Sequence, residues 1–429
     1  MSTTAPTGQV DPGTRPAGEP PDAPASPAAV RRLLDAATRA NTVTVTVLAI
    51  VLALVIGAIL IVVSKTGLLG EYGYFFAAPG QVLGDTWAVV ANAYGNLFKG
   101  ALFDPQAVSA AAGGTGTWSA AFYPLSETLT YAAPLVFTGL AVALAFRGGL
   151  FNIGAQGQAV VGGIAGGLVG FGLHLPPVLH VLVALLGAAL GGGLLGGLVG
   201  ALKARTGAHE VIVTIMLNYI ALSFLTWLIK QPGVHDPNRT DAISKPVDAN
   251  AALPSLGGAN LRWNLGIALG VLAAIAVTWL LARSTTGFEL RAVGANPDAA
   301  RTAGMSVGRT YVVVMMLSGA LAGLGGGTVL LGTAHTLTSQ YAGNIGFDGI
   351  TVALLGRGRP VGVVVSALLF GALYAGGNQM QQASGVAIDL VTVVQAIIVI
   401  FIAAPALVKE IFRLRGGASG VAGTLAKGW

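Results

Sequence analysis

Apolar residues in this chain collect in long, almost unbroken runs, and the charges, prolines and amides fall between them. Ten runs stand out: 43–63, 128–146, 156–173, 178–202, 211–229, 264–282, 311–332, 345–356, 361–376 and 388–407. Most approach the ~20 residues that carry a helix across a bilayer core. A lipid-spanning barrel would instead alternate in segments of roughly ten residues, so strands do not fit. The pattern predicts an all-α polytopic membrane protein with about ten transmembrane helices. Residues 1–42 have no apolar period and hold seven prolines between Pro6 and Pro27, the composition of a disordered tail. The first run follows Arg31, Arg32 and Arg39, but its length and the absence of a small-residue cleavage site predict a retained anchor rather than a cleaved leader. Residues 43–410 are expected to form the transmembrane domain, with tails at 1–42 and 411–429.

Composition agrees. Only 9% of the 429 residues are charged and 54% are hydrophobic, too little polar surface for a soluble protein of this size. Cysteine is absent, which removes disulfides, thiolate zinc sites and cysteine nucleophiles. The net charge of +6 does not point to nucleic acid, because the basic residues sit at the ends of apolar runs. If the N-terminus is cytoplasmic, 17 of the 23 Lys and Arg residues fall on the inner side of a ten-span arrangement. The positive-inside rule therefore predicts both termini in the cytoplasm.

Several chemistries are excluded by missing motifs. A Walker A cradle needs a Gly-Lys pair, and no Lys here follows a Gly. The five histidines lack metalloprotease spacing, and His174 and His180, flanking Pro176-Pro177, are expected in an interfacial loop. No catalytic residue, metal ligand or cofactor site is expected.

Two segments repeat: Asn152-Ile-Gly-Ala-Gln-Gly157 and Asn344-Ile-Gly-Phe-Asp-Gly349. Each opens an apolar run, and in the ten-span arrangement the two runs travel in opposite directions. That predicts an inverted repeat pairing spans 2–5 with spans 7–10. Asn and paired glycines favour an interrupted backbone, tolerated at membrane depth only where it is buried in protein or lines a water-filled path. Asn152, Gln156, Asn344 and Asp348 are thus candidates for a substrate pathway; the alternative is that the asparagines cap helices and the glycines pack them. Of the ionisable residues in or near runs, Asp348 is the pathway candidate, while Glu210 and Asp389 are expected at interfaces. Asn218 and Gln395 are expected to hydrogen-bond between helices.

The connection 283–310 carries four arginines. It contains a short helix of its own, with Asn296 as N-cap, Pro297 at the first position, Asp298 at the positive dipole end and Gly304 as the stop. So short a helix must dock, either on its own spans or on a cytoplasmic partner.

This loop resembles the coupling segment of the integral permease subunits of ATP-binding cassette (ABC) importers, in the branched-chain amino acid, simple sugar and nucleoside group. It matches their pattern through Gly287, Leu290, Arg291, Ala292, Gly294, Asn296, Ala299, Ala300 and Gly304. The stretches 134–158 and 346–356, the latter followed by Pro360, look most like the nucleoside-type permeases, although many relatives carry Glu where this chain has Gln156. The resemblance covers roughly residues 120–410. It implies a non-catalytic subunit forming half of a translocation path, with nucleosides the expected substrate and simple sugars or branched-chain amino acids the alternative. It further implies a second homologous permease, a cytoplasmic ATPase touching Gly287, Arg291, Gly294, Asn296, Ala299, Ala300 and Gly304, and an extracytoplasmic substrate-binding lipoprotein, all at the cell membrane. A different class, an ion-coupled secondary transporter, would use Asp348 and need no ATPase.

Overall fold

Small residues spaced one helical turn apart decide how the helices approach. In the computed structural model, which describes residues 42–258 and 260–413, α1 (Thr42–Ser64) buries Val45, Ala49 and Ala53. It presents Val47, Val51, Val55, Ile59 and Val63 outward at i, i+4 spacing. The tails expected at 1–42 and 411–429 lie almost wholly outside the described residues.

The connection after α1 folds into α2 (Thr66–Glu71), α3 (Pro79–Ala101) and α4 (Pro105–Ala112). The bundle then runs through α5 (Trp118–Arg147), α6 (Ala155–Gly172), α7 (Pro177–Thr206), α8 (Glu210–Leu228) and α9 (Leu265–Arg283). After α10 (Thr285–Ala295) and α11 (Pro297–Thr302) come α12 (Val307–Val329), α13 (Ile345–Leu355), α14 (Pro360–Ser384), α15 (Asp389–Ala403) and α16 (Pro405–Ile411). No strand is present among the described residues beyond two isolated bridges in the 230–264 connection.

Seven helices among the described residues are long and apolar enough to cross a membrane: α1, α5, α7, α8, α9, α12 and α14. The other three expected spans are helical but of another kind. Glycines and two glutamines dilute the hydropathy of α6, α13 has only 11 residues, and α15 bends into α16. The long connection 65–127, which the apolar pattern leaves unassigned, carries α3 against α14: Gly376 leaves no room for a Cβ beside the Leu97 backbone.

α5 lies at the centre, with 83% of its most apolar window buried. The tightest seam joins α7 to α12. Gly192, Gly196 and Gly200 face α12, and a Cβ on Gly192 or Gly200 would lie 2.7 Å from Gly323 Cα or Val312 Cα. Leu182, Leu186, Leu190, Leu194 and Leu198 occupy the opposite face of α7, exposed. In lipid, leucine gains little by meeting leucine, so small residues take the interior seam and large ones the outside. His180, expected in an interfacial loop, sits instead in the first turn of α7, buried, with Nε2 3.1 Å from the Val169 carbonyl oxygen. Pro177 takes the first position of α7, so the turn at the proline pair ends before His180 and the helix carries that side chain against α6.

The connection 230–263 lies across the end of the bundle opposite α10 and α11. Its Ser244, Val247 and Leu253 amides donate to the carbonyls of Leu337, His335 and Leu331 at 3.0, 2.9 and 2.8 Å. Arg239 grips Asp241 through two hydrogen bonds of 2.8 and 2.9 Å, and holds its carboxyl below the usual carboxylate range.

Candidate functional site: two joined motifs and a docked helix pair

The repeated motifs meet. Gln156 is the second residue of α6, and its carboxamide reaches the turn that opens α13. Its Nε2 donates to the Gly343 carbonyl at 2.6 Å, and its Oε1 accepts from the Gly346 amide at 2.8 Å. A Cβ on Gly346 would lie 2.6 Å from the Ala155 carbonyl carbon, so only glycine permits this approach. Residues 335–344 form no helix; they run beside α6, with the Tyr341 hydroxyl donating at 3.1 Å to the carbonyls of Ala159 and Val160. Such open backbone inside a bundle needs internal partners. Gln156 supplies one at Gly343, and Ser244 supplies two at Leu337, its amide meeting the carbonyl at 3.0 Å and its Oγ accepting from the amide at 2.8 Å.

The first motif is held from its other side. Asn152 Nδ2 donates to Gln158 Oε1 and Ser318 Oγ, both at 2.8 Å, and Ser318 Oγ in turn donates to the Ala141 carbonyl at 2.7 Å. Asn218 of α8 accepts from the Gly157 amide at 2.8 Å and donates to the Ile153 carbonyl at 3.0 Å. It therefore serves an orphan donor of the α6 N-terminus that a cap would otherwise satisfy. Asn218 was expected to bond between helices, and it does. Gln395, given the same expectation, is buried with no partner for its Nε2.

Asn152 and Gln156 are thus buried, at 0% and 2% exposure, whereas Asn344 is exposed and Asp348 half-buried. Asn344 occupies the N-cap position of α13 without a side-chain capping bond. The Asp348 carboxylate accepts from the Tyr374 hydroxyl at 3.0 Å. Ser318, Tyr341 and Tyr374 carried no sequence signal: a serine or tyrosine in an apolar run looks like packing until the fold shows what it faces. Asp389 is exposed in the first turn of α15, and Glu210 is buried in the first turn of α8.

Glu210 pairs with Lys203 Nζ at 2.6 Å and also accepts from the Phe151 amide. The ammonium lies 5.5 Å from the Tyr311 ring centroid. This pair joins α7, α8 and α12 to the turn before α6. Lys203→Met is expected to cost on the order of 3–5 kcal/mol by stranding a buried carboxylate. Adding Glu210→Gln should recover most of the loss, as read from unfolding temperatures in detergent.

At the same end of the bundle, α10 and α11 form a docked pair. Ser284 Oγ accepts from the Gly287 amide at 2.9 Å, and Asn296 Oδ1 accepts from Asp298 and Ala299 at 3.0 and 3.1 Å. The caps explain two helices where the sequence reading expects one. Gly287 packs against the end of α9, where a Cβ would lie 3.0 Å from Leu281 Cα. Gly294 packs on the turn after α5, where a Cβ would lie 2.8 Å from the Gly149 amide; Gly149 itself has a left-handed φ of 72°. Arg291 donates back to the Gly287 carbonyl at 3.2 Å. Ala300 is buried with Val293 and Val307, and Gly304 ends the unit at φ 84°. Asp298, Ala299 and Arg301 face outward. Of the seven expected coupling residues, Gly287, Gly294 and Ala300 thus build the platform, and Ala299 is presented on it.

Seven helices long and apolar enough to cross a membrane, two motif-bearing helix starts bonded to one another and a docked helix pair at one end make this a multi-pass membrane protein. Residues 125–403 match the family described as branched-chain amino acid transport system / permease component, and the chain belongs to that family. It is 42% identical over 300 residues to the guanosine ABC transporter permease protein NupP of Bacillus subtilis (strain 168), covering 69% of this chain and 86% of that one. It is 38% identical over 291 residues to the nucleoside ABC transporter permease protein NupB of Lactococcus lactis subsp. cremoris, covering 65% and 79%. Against the glucose ABC transporter permease protein TsgB13 of Haloferax volcanii it is 33% identical over 289 residues, covering 65% and 76%. The match begins inside α5, so α1 to α4 precede it.

Proposed function

We propose that this chain is one permease of an ATP-driven nucleoside importer. The observation that carries the reading is 42% identity over 300 residues to a guanosine permease, in a chain whose family match, residues 125–403, contains both motifs and the helix pair. The 33% identity to a glucose permease favours sugars as the second reading. The ten-span arrangement follows if α6, the unwound segment with α13, and α15 with α16 each count as one crossing. The excess of basic residues on one side then supports a cytoplasmic position for both termini and the 283–310 loop. Spans 2–5 and 7–10 form the inverted repeat. Residues 43–410 are the permease domain, between cytoplasmic tails at 1–42 and 411–429.

In this reading Asn344 and Asp348 line the path, while Asn152 and Gln156 fix the backbone that shapes it. A second homologous permease completes the channel, and an extracytoplasmic binding lipoprotein delivers the nucleoside. A separate ATPase hydrolyses ATP and bears on Asn296, Ala299 and the neighbouring surface of α11, supported from beneath by Gly287, Arg291, Gly294, Ala300 and Gly304. Rigid docking of so short a helix is what lets a push there reach α5 and α9.

The test is uptake in proteoliposomes holding the full complex. ATP-dependent guanosine uptake is expected, and guanosine uptake by this chain alone, driven by an ion gradient, would overturn the reading. Ala299→Glu is expected to leave assembly intact and cut transport per ATP hydrolysed severely. Ala300→Glu, which buries a charge, should instead undock α11 and lower the yield of folded protein.

A further inference from the structure

One set of polar side chains on the bundle remains unexplained by the motifs. The Tyr374 hydroxyl, bonded to Asp348, belongs to a ring lying 6.0 Å from that of Tyr131. The Tyr131 hydroxyl in turn accepts from Asn378 Nδ2 at 2.9 Å. All four residues are half-buried, each with part of its surface turned away from its own bundle. Their depth follows from helix rise. Gly349 packs on Thr138, and Arg147 of the same helix bonds the Gly358 carbonyl at the α10–α11 end. Asp348 therefore lies roughly 13 Å above that end, Tyr374 and Tyr131 roughly 21–24 Å, and Asn378 roughly 27 Å, within a hydrocarbon thickness of about 30 Å. A carboxylate, two phenols and an amide do not face lipid at those depths, where the leucine stripe of α7 shows what a lipid face looks like.

We propose that Asp348, Tyr374, Tyr131 and Asn378 form one recognition track, and that it takes a neutral ligand joining a planar ring to a hydroxylated sugar. The inference rests on the importer reading above and names the residues that carry its selectivity. Each chemical feature has a counterpart. A carboxylate accepts hydrogen bonds from sugar hydroxyls and repels a phosphate; a tilted pair of phenols offers aromatic faces to a base; and an amide both donates and accepts at the base edge. The groups are spread over roughly 14 Å along the membrane normal, so a nucleoside would be handed upward or downward from one to the next. Because Asp348 bonds Tyr374 and Asn378 bonds Tyr131, a ligand that engages either pair exchanges one hydrogen bond for another.

The absence of native cysteine makes a direct test clean. Asp348→Cys, Tyr374→Cys and Asn378→Cys are made singly in the full complex, with Leu194→Cys on the exposed leucine stripe as the lipid-facing control. A charged, membrane-impermeant thiol reagent is applied, and modification of this chain is read by mass. Positions 348, 374 and 378 are expected to react and position 194 to resist, since only water-exposed cysteine forms the reactive thiolate. With the binding protein present and guanosine at ten times its dissociation constant, modification at 374 and 378 should slow about ten-fold. Glucose at the same concentration should leave the rate unchanged. Unreactive cysteines at all three track positions, in folded complex, would overturn the track; so would modification indifferent to guanosine. Equal protection by glucose would remove the aromatic part of the proposal. Guanosine uptake by the unsubstituted complex is measured alongside: its absence sinks the importer reading, whereas uptake with unprotected cysteines sinks the track alone.

Discussion

Gly323→Leu is expected to leave no cooperatively folding protein. Gly323 of α12 lies where α7 and α12 touch backbone to backbone, and a Cβ there would collide with the Ala188 carbonyl and lie 3.0 Å from Gly192 Cα. Overpacking costs about 1–3 kcal/mol where side chains can rearrange. Here the obstacle is main chain on both sides. The helices would have to separate along a seam that Gly192, Gly196, Gly200 and Gly319 also form, and α6 joins them through Gly162, whose missing Cβ faces Gly323. Gly323→Leu should appear as aggregate on size exclusion and show no thermal transition in detergent, whereas Leu194→Ala on the outer face of α7 should unfold like the parent. A folded Gly323→Leu protein would mean that the seam can open without loss, and close helix contact would lose its place in the account.

Gln156→Leu is expected to abolish transport while the chain still inserts and assembles. Leucine fills the space but leaves the buried Gly346 amide unpaired, at about 1–3 kcal/mol, and frees the more exposed Gly343 carbonyl. Those two groups bracket the turn that opens α13, so the expected consequence is local: residues 343–348 lose their position, and Asn344 and Asp348 with them. Gln156→Glu keeps the acceptor for Gly346 and loses the donor to Gly343. A milder defect is expected from it. ATP-driven guanosine uptake, set against the amount of assembled complex, distinguishes the two. Undiminished uptake by Gln156→Leu would remove the clamp from the mechanism.

The spans with one apolar and one small-residue face were legible, because lipid and helix contact impose opposite demands on the two faces. The α11 helix was legible for a different reason: Asn296, Pro297, Asp298 and Gly304 each satisfy a local backbone requirement, and the caps are where they were expected. The α10 helix was less so, since the Ser284 cap resembles any loop serine until its bond to Gly287 is seen. The α6 helix, rich in glycine, reads as a span by pattern yet falls short in hydropathy, because it is enclosed by protein and has no lipid to satisfy. A proline pair reads as a loop, whereas Pro177 opens α7 and His180 lies within its first turn.

The candidate pathway residues divide in the same way. Sequence placed Asn152, Gln156, Asn344 and Asp348 in two equivalent motifs and left open whether they line a path or hold helices. Equivalence of sequence did not become equivalence of place: Gln156 is buried as a clamp, and its counterpart Asp348 is half-exposed beside Tyr374. Each motif lies in a different environment, since α8 covers the first through Asn218 and α14 meets the second through Tyr374.

The amino-acid sequence by itself determined that this is a polytopic helical membrane protein, because charge scarcity and run length are settled by the cost of moving polar groups into lipid and need no partner to be read. It also determined the short capped helix, because capping is local. Only the tertiary structure decided that the two motifs bond to each other, that Gln156, Asn218 and Ser244 supply partners to backbone outside the helices, and that Asp348 belongs with Tyr374, Tyr131 and Asn378. Those pairings join residues far apart in the chain. Their energies depend on which polar groups are shut away from water together, which is settled only once the helices have packed.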